Sequence, residues 1–321
     1  MSRKIQRIVI TGATGVLGMA LLHTCIEQRI HVLVITRKDS KRNTNIPKSE
    51  YIQRVYADAS EYDYMDAAKL TESGSNNYDA FIHLAWQGTT GVSRNDMELQ
   101  TNNIQYTLAA VRLAHRLGCK VFVGAGSQAE YGRVEGYLND KIMPAPENGY
   151  GMAKLCAGQM SRVLCRQLQL EHIWLRVLSV YGPYDNENSM VISAIRGFVE
   201  GKETAFTAGE QRWDYLYSGD AANMIWKLLA DGKGGKLYCI GSGRERCLKD
   251  YIHDIYKVVC GNDATEEKLG IGKIPYAPKQ VMFLCADISE LEADIGKLPL
   301  TPFSEGIKKT VEWYKSRLEN K

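Results

Sequence analysis

The sequence predicts an α/β chain built on a doubly wound parallel sheet, followed by a smaller mixed C-terminal lobe. Three observations carry this: short apolar runs bounded by turns, amphipathic helical patterns between them, and a glycine-rich stretch at the first strand-to-helix junction. Near-continuous apolar strands alternating with helices indicate βαβ units with right-handed crossovers and a sheet covered on both faces.

The elements follow in order. Ile8-Val9-Ile10 is a β-branched strand, and the helix after it sets Leu17, Ala20, Leu21 and Thr24 on one face. His31–Thr36 is a second buried strand, and a short third one ends at Val55-Tyr56. Ala80–Leu84 and Lys120–Val123 are two more, with a helix between them over 102–117 whose core side is Ile104, Leu108, Val111 and Leu113. A helix over 150–168 turns Leu155, Val163, Leu164 and Leu168 inward, and Ile173–Val177 is the next strand. After Tyr181-Gly182-Pro183 the alternation is lost, although Lys236–Ile240 reads as a strand that rejoins the first sheet.

Composition narrows the class. Of 321 residues, 45% are hydrophobic, and 40 Lys+Arg against 37 Asp+Glu leave a net charge of +3, too little for a broad polyanion-binding surface. No apolar run approaches the ~18 residues of a membrane span. Residues 1–7 lead into the first strand without a signal-peptide core. The eight cysteines are scattered with no CxxC pair, which points to buried, reduced thiols rather than disulfides or zinc. The expectation is a soluble cytoplasmic protein with no metal, nucleic-acid or membrane partner.

Gly12-x-x-Gly15-x-x-Gly18 lies where a Rossmann sheet cradles a dinucleotide. Glycines let the backbone approach a pyrophosphate, and the following helix supplies free N–H groups and a positive dipole end. An acidic residue after the second strand would bind ribose hydroxyls, whereas arginine pairs with a 2′-phosphate. This chain has Thr36-Arg37-Lys38 and then Lys41-Arg42, which favours NADP(H), with NAD(H) as the alternative; a solvated basic loop is the bland reading. Asp58, after the third strand, is placed to meet the adenine or simply to form a turn. The domain reading is therefore 1–178 as an NAD(P)-binding Rossmann domain and 179–321 as mainly a substrate-binding lobe, with 236–241 returning to the first sheet.

Tyr150 and Lys154 stand four apart at a helix start, hence on one face. A nearby ammonium stabilises phenolate, so this spacing predicts a lowered Tyr150 pKa and a working acid/base. Ser127, where the parallel strand ends, is positioned to orient a carbonyl or alkoxide toward Tyr150.

These residues together resemble the extended short-chain dehydrogenase/reductase superfamily, in its NAD(P)-dependent epimerase/dehydratase, nucleotide-sugar-modifying branch. Thr11–Gly18, His83-Leu84-Ala85, Asn103-x-x-x-Thr107, Ser127 before Tyr131-Gly132, Tyr150-x-x-x-Lys154, and Leu175-Arg176 before Tyr181-Gly182-Pro183 all occur in family order. The resemblance implies hydride transfer between nicotinamide and a sugar carbon, with Ser127, Tyr150 and Lys154 catalytic and Lys154 holding the ribose. It also implies cofactor contacts at Gly12, Thr14, Gly15, Val16, Leu17, Gly18, Arg37, Asp58, Ala59, Leu84, Ala85, Trp86, Asn103 and Val180. A nucleoside diphosphate sugar would meet Trp86, Ser127, Ser179, Arg212 and Trp213, and a homodimer would form through the helices at 102–117 and 150–168.

Departures from the family pattern narrow the reaction. Dehydratases of this type carry Asp-Glu after the catalytic hydroxyl, but here Gln128-Ala129 can supply neither the base nor the acid that elimination needs. Glu130 is expected to point away from the site. Trp213 stands where the family commonly has the arginine that holds a diphosphate, with Arg212 one residue earlier, and Ser179 replaces a common asparagine. Arg212 is then left to contact the anion, or Trp213 to stack on a base or sugar; a structural Trp is the plain alternative. The basic run at 37–42 tilts the reading to an NADP-dependent reductase of a 4-keto nucleotide sugar, ahead of an NAD-dependent 4-epimerase. A catalytically silent NADP-sensing regulator ranks third, because it would have no use for Ser127, Tyr150 and Lys154.

Overall fold

The computed structural model describes residues 2–71 and 78–319. The strands are β1 (Arg7–Thr11), β2 (His31–Thr36), β3 (Ile52–Tyr56), β4 (Ala80–His83), β5 (Val121–Ser127) and β6 (Glu171–Val177). Beyond them come β7 (Ser179–Tyr181), β8 (Arg212–Trp213), β9 (Tyr215–Tyr217), β10 (Leu237–Ile240), β11 (Arg246–Cys247) and β12 (Phe283–Leu284). Seven of these make one parallel sheet in the order β10-β6-β5-β4-β1-β2-β3. A three-stranded sheet, β11-β8-β12, and a two-stranded one, β7-β9, build the remainder.

Strand periodicity divides the core. Ile8, Ile10, Val32 and Val34 face one layer of helices, α1 (Val16–Glu27) and a later helix at Ser218–Asp231. Val9, Leu33, Ile35 and Phe81 face the other layer. That layer is α3 (Met97–Arg116) and α4 (Gly149–Gln167), the short α2 (Ala67–Leu70) preceding them. Successive side chains of a strand point to opposite faces, so a run buried on both sides reads as continuous apolar sequence.

The C-terminal half contributes α5 (Met190–Val199), α6 (Ser218–Asp231), α7 (Leu248–Cys260), α8 (Glu266–Leu269), α9 (Ser289–Ile295) and α10 (Phe303–Glu319). Helices α5, α7 and α10 share a separate core around Ile195, Ile252 and Ile307. The segment at 236–240 does return to the sheet: β10 pairs in parallel with β6, and α6 packs on α1.

Two details differ from the sequence reading. Helix α3 begins at Met97, not at 102, because the Asp96 carboxylate caps it by accepting the Leu99 amide at 3.0 Å. Val163 points outward, 53% exposed, on the opposite side of α4 from its buried residues Ala157, Ser161 and Cys165. Five cysteines are buried, and all eight are free thiols. Among the described residues no helix is long and apolar enough to cross a membrane.

Candidate active site

The carboxyl ends of β1, β2, β3 and β4 open onto a cleft of about 320 Å³, lined at one end by Gly12, Thr14 and Gly15. Gly12 has φ +72°, and a Cβ there would lie 2.5 Å from the Ala85 amide nitrogen. Only glycine permits both the turn and the close approach of the β1 and β4 loops. The same lining includes Leu84, Ala85, Trp86 and Asn103. At the far end stand Arg37 and Arg42, with Asp58 and Ala59 opposite. The buried Asn43 amide fixes that end: it donates to the Arg37 carbonyl at 2.8 Å and accepts from the Thr36 hydroxyl at 2.9 Å.

These residues fit a dinucleotide. A backbone cradle opens into a helix N-terminus, and two guanidiniums stand beyond the second strand. Several of the expected contacts also have partners within the protein. Gly18 packs against Ala13, Leu17 turns into the core, and Val16 sits with them in the first turn of α1. Val180 packs against the core from β7. The Asp58 side chain caps the turn Ala59–Tyr64 by accepting from the Ser60 amide at 3.1 Å. Asn103 braces the cleft wall, its amide both accepting from and donating to the Gln87 backbone.

Tyr150, Lys154 and Ser127 converge beside Trp86. Asn148 caps α4 by accepting the Gly151 amide at 2.9 Å. Gly151 lets the first turn of α4 lie directly against the Ala129 carbonyl, which a Cβ would strike. Ser127 ends β5, its hydroxyl accepting the Ala129 amide at 3.2 Å and lying close enough to the Tyr150 phenol to favour its anion. The Lys154 ammonium donates to the Ala125 carbonyl at 2.6 Å and lies 3.7 Å from the centre of the Trp86 ring. Trp86 meets Tyr150 edge-on at 6.1 Å.

Burial dominates the electrostatics here. The Tyr150 phenol is pushed above its ordinary value by burial, against the Ser127 hydrogen bond and the Arg94 charge. Lys154, likewise buried, is pushed down to about 7. The expected lowering of Tyr150 is therefore corrected. At neutral pH the phenol is protonated, and burial also works against the charge of the lysine that was to stabilise its anion.

Glu130 is fully buried beneath Ser127. One carboxylate oxygen accepts the Ser127 amide at 2.8 Å and the Trp174 indole at 3.0 Å. The other takes the Arg176 guanidinium at 2.7 Å. So Glu130 faces away from the substrate side, and the Gln128–Glu130 turn offers no free carboxylate. In the second lobe the Trp213 indole donates to the Ser179 hydroxyl at 2.8 Å, joining two expected substrate contacts to each other. Arg212 is exposed and pairs with Glu245 at 3.2 Å. The sequence reading missed Arg94 and Gln100, which hold the loop over Tyr150. A signal existed: Gln100 and Asn103 are polar, three apart, on the buried side of α3.

Comparison with known proteins agrees with this architecture. Residues 8–241 match the model of the NAD dependent epimerase/dehydratase family. An ADP-L-glycero-D-manno-heptose-6-epimerase of Fusobacterium nucleatum is 25% identical over 96% of this chain and 97% of its own. A dTDP-glucose 4,6-dehydratase of Streptomyces niveus is 23% identical over 97% of this chain and 93% of its own. The crystal structure of a UDP-glucuronic acid 4-epimerase from Bacillus cereus in complex with NAD superposes with a TM-score of 0.81. It is 20% identical, and the match covers 97% of this chain and 99% of that one. The fold and site define a dinucleotide-binding enzyme of the extended short-chain dehydrogenase/reductase type. This chain belongs to the NAD-dependent epimerase/dehydratase family.

Proposed function

We propose that this protein is an NADP-dependent oxidoreductase that reduces the 4-keto group of a nucleoside diphosphate sugar. The observation that carries the choice is the pair Arg37 and Arg42 at the adenosine end of the cleft, with Arg37 rather than a carboxylate directly following β2. Guanidiniums bind phosphate through charge-assisted hydrogen bonds, and the 2′-phosphate marks the reducing pool of cofactor.

When bound, the nicotinamide supplies the hydride. Ser127 orients the substrate carbonyl, and Tyr150, protonated at neutral pH, gives its proton to the developing alkoxide. Lys154 would hold the cofactor ribose. Elimination is disfavoured, because Gln128 and Ala129 have no ionisable group to act as acid or base and Glu130 is committed to Arg176. The competing reading is an NAD-dependent nucleotide-sugar 4-epimerase, for which the family match speaks.

Binding of NADPH and NADH separates the two. The wild-type chain is expected to prefer NADPH, and Arg37→Ala to weaken NADPH binding by roughly 10–100-fold with little effect on NADH, the scale of a lost charged hydrogen bond. Equal affinity in the wild type, or NAD(H) retained through purification, would favour the epimerase. A turnover screen of UDP-, dTDP-, CDP- and GDP-linked 4-keto sugars with NADPH then names the substrate.

We further propose a cytoplasmic homodimer built on α3 and α4. Met152, Met160 and Val163 are about half exposed in one stripe along α4, and Met97 stands exposed at the start of α3. Large apolar side chains gathered on one face mark an interaction surface. Sedimentation equilibrium is expected to give twice the chain mass; a single-chain mass at micromolar concentration would overturn the dimer.

A further inference from the structure

The loop that follows Trp86 is fixed over the start of α4 by a buried amide. Gln100 Nε2 donates to the carbonyls of Gly88 and Ser93, both at 2.9 Å, while its Oε1 accepts the Trp86 indole at 2.9 Å. The far end of the loop is tied to α4 directly, since the Asn95 side chain accepts the Gly149 amide at 3.0 Å. Held in this way, the Arg94 guanidinium carbon lies 4.5 Å from the centre of the Tyr150 ring. The Lys154 ammonium is farther from that centre, at 5.8 Å. Arg94 Nη1 donates to the Thr89 carbonyl at 3.3 Å, and among the described residues no carboxylate lies in ion-pair range of it. Its positive charge therefore acts on the phenol without a neutralising partner.

We propose that Arg94 is a second cation of the acid–base site, a positioning residue that stabilises the Tyr150 phenolate through the ring face and sets the pH range over which Tyr150 exchanges its proton. The proposal rests on the reading of Tyr150 as the proton carrier and holds for reduction and epimerisation alike. The charged groups around the phenol come from every neighbouring element. Lys154 belongs to its own helix, Arg94 to the 91–95 turn, and Glu130 to the turn after β5, where Arg176 binds it. Ser127 and Trp86 complete the surroundings without charge. A guanidinium keeps its charge at every pH that Tyr150 experiences, whereas a buried ammonium does not. Burial works against the charge of Lys154.

Tyrosinate absorbance of the full chain tests this without substrate or cofactor. The difference between the chain and its Tyr150→Phe variant isolates one phenol from the other tyrosines. Measured again in Arg94→Met and Arg94→Lys backgrounds, it reads the effect of the charge alone. The Met substitution is expected to move the Tyr150 ionisation upward by about 0.5–1.5 pH units, the range of a partly desolvated cation–π contact, and the Lys substitution to restore most of the shift. An ionisation unmoved in Arg94→Met, or a shift that Lys fails to restore, would overturn the proposal. Neither outcome depends on whether the enzyme uses NADP(H) or on which sugar it accepts.

Discussion

Tyr150→Phe is expected to lower turnover by about 10²–10⁴-fold while leaving dinucleotide affinity and thermal stability close to those of the parent. The magnitude is that of a positioned proton donor removed from the transition state. The ring keeps its packing against Trp86 and Arg94, because both contact the aromatic body rather than the oxygen. What disappears is the hydroxyl that faces Ser127. Steady-state rates on any accepted sugar nucleotide, with NADPH binding measured in parallel, check this. Unchanged turnover would remove Tyr150 from the chemistry, whereas loss of cofactor binding would make its role structural. The direction of the pH dependence follows from burial. The phenol lies above its ordinary value, so a reaction that needs it as an acid keeps its rate through neutral pH and loses it only in the alkaline range.

Arg176→Met is expected to destabilise the fold by about 3–5 kcal/mol, the cost of leaving one half of a buried ion pair unpaired. Glu130 would remain wholly inside the protein with only the Ser127 amide and the Trp174 indole as donors. Urea unfolding measures the loss. The double variant Glu130→Gln/Arg176→Met is expected to recover much of it, since an amide carries no charge to strand. Recovery in the double variant identifies the stranded charge as the cause; no recovery assigns the loss to the contact of Arg176 with the Tyr131 ring, whose centre lies 4.2 Å from the guanidinium carbon. The first result also bears on catalysis, because the same carboxylate holds the backbone of Ser127.

The sheet was legible in the sequence because parallel strands buried on both faces must be apolar throughout, as in Ile8–Ile10 and Val32–Ile35. The return of Leu237–Ile240 could be read for the same reason. The outward turn of Val163 could not. A valine on an amphipathic helix reads as core unless a further surface is available to cover it, and the sequence does not say which surface that is. At the site, the glycine loop and the Tyr150–Lys154 spacing were visible because both obey local rules of turn and helix geometry. Arg94 was not, since its place over Tyr150 depends on hydrogen bonds between residues that only the fold brings together: Gln100 with Ser93, and Asn95 with Gly149. The direction of the Tyr150 shift was misread for a related reason. Spacing shows a cation nearby, but burial, which outweighs it, belongs to the tertiary structure.

The pairing of β10 with β6 bears on how such enzymes can be recombined. The lobe expected to choose the sugar is no detachable cassette, because the chain that builds it passes back through the scaffold and supplies an outermost strand there. Exchanging everything after residue 178 with a relative would import a foreign border for the recipient's sheet. A graft that respects the architecture would transplant the loops and helices on either side of 237–240 and keep that strand, with α6, from the host.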